Sequence, residues 1–393
     1  MKGENPLNLL NRSFRYELPT DIVFGVNTVE QLPIHIKALK GSKVFIVTDP
    51  GVVQAGILDK VTSILGEQEI SYEVFSEVDR EPDVHTIIRA TEQAKLVQAD
   101  LVIGVGGGSS LDAAKAIAVM VKNEGVVTQY AGLNQIPNAG IPLICIPTTS
   151  GTGSEVTIWC VISDKANHRK HPIGGKVLAP TLAVCDPALT LTLPASITAA
   201  TGLDALTHAL ECYVNKITQP ISMALARESM RLIAKSLRTA VTQGDHLEAR
   251  SDMMIASTMA AMAFNPTRLG LAHALAMPLG GKYNIPHGMV NAIVLPQVME
   301  YNLISNLEAF KEIAEIFGEN TEGLSLREAA ALSIKAIRQL NQDIGIPAGL
   351  REYGVSEDDL DEIAEEGMES GNILVNPRKA GPEDLKEIVR RSI

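Results

Sequence analysis

The spacing of apolar residues changes once along the chain, and that change restricts the available folds more than any motif does. Between residues 43 and 186, short β-branched runs alternate with amphipathic stretches. Strand-like runs fall at 44–47, 71–75, 101–103 and 143–146. Helical spacing falls at 52–65, after Pro82, and from about 110 to 122. This alternation predicts a mostly parallel sheet covered by helices. From Pro194 onward the strand signal nearly vanishes. Segments 196–216, 221–242, 247–263 and 325–341 repeat apolar residues every three or four positions, which predicts a helical second half. A chain of 393 residues is longer than one core usually supports. The expected division is an α/β domain over 1–187 and an all-α domain over 188–393, with a ligand cleft between them. The boundary is placed at Asp186-Pro187, because proline lacks a backbone donor and biases its predecessor away from helix.

Charge and composition exclude several function classes. A net charge of −12, with no dense run of Lys and Arg, would repel phosphate backbones and anionic membrane surfaces. No apolar run reaches the roughly 18 residues of a membrane span. The first residues lack the basic-then-apolar layout of a secretory signal, so a cytoplasmic location is expected. Cys145, Cys160, Cys185 and Cys212 lie far apart without a Cys-x-x-Cys pair and read as buried small apolar residues. The acidic stretch 357–366 reads as a solvated helix face.

Two loops in the first half have nucleotide chemistry. Gly104-Val-Gly-Gly-Gly-Ser109 follows an apolar strand and leads into strong helix formers. Glycine lets a backbone approach a ligand closely, and the N–H groups of the following helix suit a pyrophosphate. The usual dinucleotide pattern is altered: Ser109 replaces its last glycine, and no ribose-binding acid follows about 20 residues later. Asp49, after the first strong strand, is the candidate for the ribose diol. Its charge would repel a 2′-phosphate and so favours NAD over NADP. The second loop, Pro147-Thr-Thr-Ser-Gly-Thr-Gly-Ser-Glu155, reads equally as a ligand-lining loop or as a Ser/Thr capping turn.

The second half carries a candidate metal set. Asp204 and His208 are four residues apart in a helical pattern and share one face. His273 opens another helical stretch, and His287, in Ile-Pro-His-Gly, sits at a loop-to-helix junction. Only 8 residues are His, and these three have small or apolar neighbours. Buried imidazoles need partners, which a carboxylate and a shared cation would supply. Three imidazoles and one carboxylate suit Fe²⁺, Zn²⁺, Mn²⁺, Co²⁺ or Ni²⁺. His35, His85, His168, His171 and His246 are given no role.

Together these segments resemble the iron-containing, or group III, alcohol dehydrogenase family over about residues 16 to 350. The resemblance rests on Gly106-Gly-Gly-Ser-Ser-Leu-Asp-Ala-Ala-Lys115, Pro147–Thr157, Asp186–Thr190, Ala199–Ala209, Gly270–Ala274 and Ile285–Gly288. It implies an α/β dinucleotide-binding domain joined to an all-α metal-binding domain, an architecture shared with dehydroquinate synthases. It implies that Asp204, His208, His273 and His287 are the catalytic metal ligands, usually to Fe²⁺ and sometimes to Zn²⁺. It further implies cofactor contacts from Asp49, Gly106, Gly107, Ser109, Thr148, Thr149 and Lys170, with Val161 and Leu189 packing nearby. Lys170 matches a lysine that reaches the nicotinamide ribose. Trp159 and Phe264 fall where the family lines its substrate pocket, which implies a small, fairly apolar substrate. Relatives often carry a second histidine four residues after the third ligand, where this chain has Met277. A thioether carries no proton at neutral pH.

The expected function is therefore metal-assisted hydride transfer between a small alcohol and its aldehyde or ketone and NAD(P), in a homodimer or larger assembly. The N-terminal segment containing 22–25 is a candidate strand for a neighbouring subunit. Two alternatives stand beside this reading. One is an NAD- and metal-dependent lyase of dehydroquinate synthase type, whose substrate site should be rich in Lys and Arg; here 264–288 holds only Arg268 and Lys282. The other is a metal-binding homologue impaired in turnover, motivated by Met277.

Overall fold

The computed structural model describes residues 13–165 and 169–393, so His168 lies outside the described residues. The chain divides into two compact units, Leu18–Leu193 and Pro194–Ile393, with residues 13–17 grouping with the second.

Among the described residues the first unit contains nine strands: β1 (Asp21–Phe24), β2 (Lys43–Val47), β3 (Ser71–Phe75), β4 (Leu101–Gly106), β5 (Gly132–Leu133), β6 (Leu143–Pro147), β7 (Trp159–Asp164), β8 (Arg169–Gly174) and β9 (Leu182–Cys185). Six of them form a parallel sheet in the order β1-β9-β6-β4-β2-β3. Its helices are α1 (Leu32–Ala38), α2 (Pro50–Gln54), α3 (Ile57–Glu67), α4 (Val84–Leu96) and α5 (Gly108–Met120). Successive strand side chains point to opposite faces, and β2 illustrates the result. Val44 and Ile46 join the apolar layer that includes Ile36, Val61 and Ile103, whereas Phe45 and Val47 join the layer that includes Ile87, Leu111 and Ile117. Burial on both faces is why the inner strands β2, β4 and β6 read as continuous apolar runs, whereas the edge strands β1 and β3 are partly exposed.

Two expectations for this half are corrected. The single helix expected over 52–65 is broken between α2 and α3, where Gly56 adopts φ 72° and caps α3 in a left-handed conformation. A second sheet, β5-β8-β7, had no strand signal, because β8 reads Arg-Lys-His-Pro-Ile-Gly. β1 pairs with β9 of its own chain and forms the sheet's outer strand. Asp186-Pro187 lies inside the first unit. There the buried Asp186 carboxylate accepts from the Ala188 N–H at 3.0 Å and from the Asn27 N–H at 3.0 Å.

The second unit is helical: α6 (Ala195–Val214), α7 (Pro220–Thr242), α8 (Leu247–Phe264), α9 (Leu271–Tyr283), α10 (His287–Asn302), α11 (Leu307–Ile316), α12 (Leu326–Asp343), α13 (Leu360–Met368) and α14 (Pro382–Ser392). Helix α6 is buried along nearly its whole length and packs against α7, α8 and α10. Helices α9 and α10 run through Pro278 and Pro296, which interrupt the sequence pattern but not the helices. The acidic stretch forms a short 3₁₀ turn and α13, where Glu357, Asp359, Asp361 and Glu362 pair with Arg390, Lys282 and Lys386. Among the described residues no helix is long and apolar enough to cross a membrane.

Candidate active site

In the first unit, three loops emerge from the C-terminal ends of the neighbouring strands β2, β4 and β6. From β2 the chain passes outward to β3, then returns to β4 on the other side. That reversal is where open α/β sheets bind ligands. Asp49 stands at this point. One carboxylate oxygen caps α2 through the N–H groups of Gly51 (2.9 Å) and Val52 (3.1 Å), and the other accepts from the Ser110 hydroxyl at 2.7 Å. Gly106 ends β4 at φ 151°; a Cβ there would lie 2.6 Å from Ser110 Cβ and 2.9 Å from the Asp49 carboxylate. Gly107 is the N-cap of α5 and carries no side-chain cap, which leaves the helix's first N–H groups to a ligand.

The second polar loop packs directly against the first. Thr148 donates its backbone N–H to the Gly106 carbonyl at 3.0 Å, and a Cβ on Gly107 would lie 3.4 Å from the Thr149 side chain. Ser109 donates its hydroxyl to the Arg80 carbonyl. Val161 donates its N–H at 2.9 Å to Asp112, a buried carboxylate of α5 that also accepts from the Ser154 hydroxyl at 2.6 Å. Burial raises the Asp112 pKa, with Lys115 and these donors opposing it. The Lys115 ammonium is buried and donates to the Trp159 carbonyl at 2.8 Å, so α5 ties both loops to β7. Lys170 pairs with Glu81 at 2.5 Å, and Leu189 is buried in the apolar layer with Val52. Asp112, Ser110 and Glu81 did not stand out in the sequence.

In the second unit, α6 and the starts of α9 and α10 bring the four candidate ligands together. Asp204 Oδ1 lies 3.6 Å from His273 Nε2, 3.8 Å from His287 Nε2 and 4.0 Å from His208 Nε2. Two ligands each about 2.1 Å from one tetrahedral cation would stand roughly 3.4 Å apart. Asp204, His208 and His273 are buried and offer atoms within 4.8 Å of one another, whereas the His287 side chain is 40% exposed. The cluster thus has one open side. The imidazoles of His208 and His273 stack at 4.5 Å, and Phe264 packs on His208 at 4.6 Å. Gly288 permits the approach of α10: a Cβ there would lie 2.3 Å from the Ala200 carbonyl and 3.1 Å from Asp204 Cβ.

The electrostatics keep the central carboxylate ionised. Burial by itself raises the Asp204 pKa, but the His208, His273 and His287 imidazoles outweigh it and hold the carboxyl well below the usual carboxylate range. Burial likewise lowers the His273 pKa, yet hydrogen bonds to Asp204 and Glu211 push it up to about 9. Glu211, buried on α6, accepts from His273 Nδ1 at 2.7 Å and from the N–H groups of Gly270 (2.8 Å) and Ala272 (2.7 Å). This contact keeps a proton on Nδ1, so Nε2, which faces Asp204, is the nitrogen that would give up its proton and offer a lone pair to a cation. The donor set fits a divalent cation. Glu211 was missed in the sequence, although Asp204, His208 and Glu211 stand four and then three residues apart on one helical face.

The other pocket candidates are placed as follows. Met277 is half-buried one turn beyond His273 on α9. Trp159 begins β7, and its ring covers Gly174, where a Cβ would lie 2.4 Å away. The Lys282 ammonium is held by Asp359 at 2.6 Å and by Glu362, so it is committed away from any anionic substrate.

A glycine loop at the reversal point of a parallel sheet, with a buried carboxylate-imidazole cluster on helices, suits an enzyme that uses a nucleotide and a metal ion. Comparison with known proteins gives the family. Residues 19–187 match iron-containing alcohol dehydrogenase, and residues 198–393 match the Fe-containing alcohol dehydrogenase family, C-terminal. The 1,3-propanediol dehydrogenase of Citrobacter freundii is 42% identical over 383 residues, covering 97% of this chain and 99% of that protein. The NAD-dependent methanol dehydrogenase of Bacillus methanolicus is 36% identical over 376 residues, covering 96% and 99%. The crystal structure of a 1,3-propanediol oxidoreductase superposes with a TM-score of 0.95 at 41% identity, covering 97% of this chain and 100% of that one. The chain belongs to the iron-containing alcohol dehydrogenase family and is an alcohol dehydrogenase or aldehyde reductase. The lyase reading is not favoured.

Proposed function

We propose that this enzyme interconverts a short alcohol or diol with its aldehyde, using Fe²⁺ held by Asp204, His208, His273 and His287. Zn²⁺ is the second candidate for the same donors. The observation that carries this reading is the convergence of three imidazole Nε2 atoms on one buried carboxylate oxygen. A short substrate is supported by the names of the 1,3-propanediol and methanol dehydrogenases that the chain resembles and by the bulk of Phe264 and Met277 in the helical unit. NAD is the proposed partner of Asp49, Gly106, Gly107, Ser109, Thr148, Thr149, Val161, Lys170 and Leu189, because the Asp49 charge at the loop opposes a 2′-phosphate. The proposed division of labour follows the two units, with the nucleotide contacts in Leu18–Leu193 and the metal donors in Pro194–Ile393.

When bound, a divalent cation supplies Lewis-acid stabilisation of the alcohol oxygen, and NAD accepts the hydride. The protein's own groups do the rest. Glu211 holds His273 in one tautomer, and Phe264 shields the His208 side of the cluster from water. The half-exposed His287 side admits the substrate oxygen. Met277 carries no proton, so the alcohol proton is assigned to solvent on that open side. A cytoplasmic location is supported by four buried free thiols, Cys145, Cys160, Cys185 and Cys212. A homodimer or larger assembly is supported by β1 standing at the outer edge of its sheet.

The test is a panel of short alcohols, diols and aldehydes with metal-stripped protein reloaded with Fe²⁺ or Zn²⁺, run with NAD(H) and NADP(H). The expected result is metal-dependent turnover of C1–C4 substrates, faster with Fe²⁺ and with NAD(H). Undiminished turnover by the metal-free protein would overturn it.

A further inference from the structure

Asn291 lies on α10 one turn after His287 and is fully buried. Its amide nitrogen stands 2.8 Å from Asp204 Oδ1, 3.1 Å from His273 Nε2 and 3.2 Å from His287 Nε2. Three of the four candidate ligands therefore meet at one NH₂ group. The orientation of the amide follows from chemistry. An ionised carboxylate only accepts, so the atom facing Asp204 must be the nitrogen. The Asn291 oxygen, on the other side, is buried and accepts no hydrogen bond among the described residues. A buried amide that leaves its oxygen unsatisfied must be held by what its nitrogen does.

An amide has two protons for these three acceptors. If a cation takes the Nε2 lone pairs of His273 and His287, the Asp204 carboxylate is the acceptor left to it, since an ionised carboxylate has lone pairs to spare. We infer that Asn291 is a positioning residue for the metal centre: its amide fixes the Asp204 carboxylate so that the four donors converge. The i, i+4 spacing from His287 links the two roles, because one helix turn delivers both a ligand and the group that orients the opposing ligand. Outer groups that orient a metal ligand typically change metal affinity 10- to 100-fold when removed.

The inference rests on the metal reading above, and one experiment separates the two. Full-length protein is stripped of metal and titrated with Co²⁺ in competition with a chelator, reading both the Kd and the visible d–d bands. The forms compared are wild type, Asn291→Leu, Asn291→Ala, Asn291→Ser and Asp204→Ala. Leu and Ala, which lack a donor, are expected to raise the Kd about 10- to 100-fold and to shift the bands. Ser keeps one hydroxyl donor and is expected to recover part of both. Wild-type Kd and bands in the Ala variant, and in the Leu variant where it folds by circular dichroism, would overturn the role of Asn291 while the metal reading stands. Undiminished Co²⁺ binding by Asp204→Ala would instead remove the metal reading itself.

Discussion

As proposed ligand sites, the glycine loop and the carboxylate-imidazole cluster are built of opposite materials. At the loop the chain offers backbone: Gly107 caps α5 without a side chain, and Gly106 has room for none. At the cluster it offers side chains: one carboxylate and three imidazoles on three helices, supported by Glu211 and Asn291. A backbone site is sensitive to what is added, and a side-chain site to what is removed. The two sites belong to different compact units, so a substitution that damages one should leave the other's ligand affinity unchanged.

The largest expected effect comes from removing the carboxylate. Asp204→Ala should lower turnover by about 10³-fold or more, the scale of several kcal/mol of lost charge stabilisation. NADH affinity, followed by fluorescence titration, should stay at the wild-type value; parallel loss of NADH binding would break the comparison. Next is the addition of one methyl group at the loop. Gly106→Ala forces a Cβ into a backbone at φ 151° and to within 2.6 Å of Ser110 Cβ. Strain of about 3 kcal/mol is expected, with NADH binding weakened about 100-fold and Co²⁺ affinity intact. Glu211→Gln keeps the shape but removes the charge facing His273, and should weaken Co²⁺ binding about 10-fold without changing NADH affinity.

The smallest effect is expected at the opposite end of β4 from the glycine loop. Asp100 accepts from the Ser42 and Lys43 N–H groups at 2.9 Å each, and from the Ser42 hydroxyl. Partial burial raises its pKa, but these donors outweigh it and lower the value overall. The sign follows: its stabilisation is present above the unfolded carboxyl's pKa of about 3.9 and is lost as pH falls through the lower folded value. Asp100→Asn should cost about 1 kcal/mol at neutral pH in urea unfolding and flatten the acid limb, with both ligand affinities unaltered.

How much could be read from sequence differs between the units for the same physical reasons. Strands β2, β4 and β6 were readable because residues such as Val44 and Phe45 are buried on opposite faces, and the edge strand β3 through its Tyr, Val and Phe. The β7–β8 pair was not, since Pro172 and the charges of Arg169 and Lys170 carry no strand pattern. In the helical unit, Asp204 and His208 were visible through their four-residue spacing. Asn291 was not, because an amide among apolar helix residues has no characteristic spacing of its own. Asp49 was proposed as a ribose contact, yet its capping of α2 and its bond to Ser110 depend on strand order, which local sequence does not state.

The distribution of the metal donors has a consequence for the stability of the molecule. Two of them share α6, while the others sit at the starts of α9 and α10. A cation shared by all four would close the long segment between His208 and His273 and the short one between His273 and His287, and so narrow the unfolded ensemble when it binds. Loss of that ion would release the constraint, so the thermal stability of the helical unit should fall when metal is stripped.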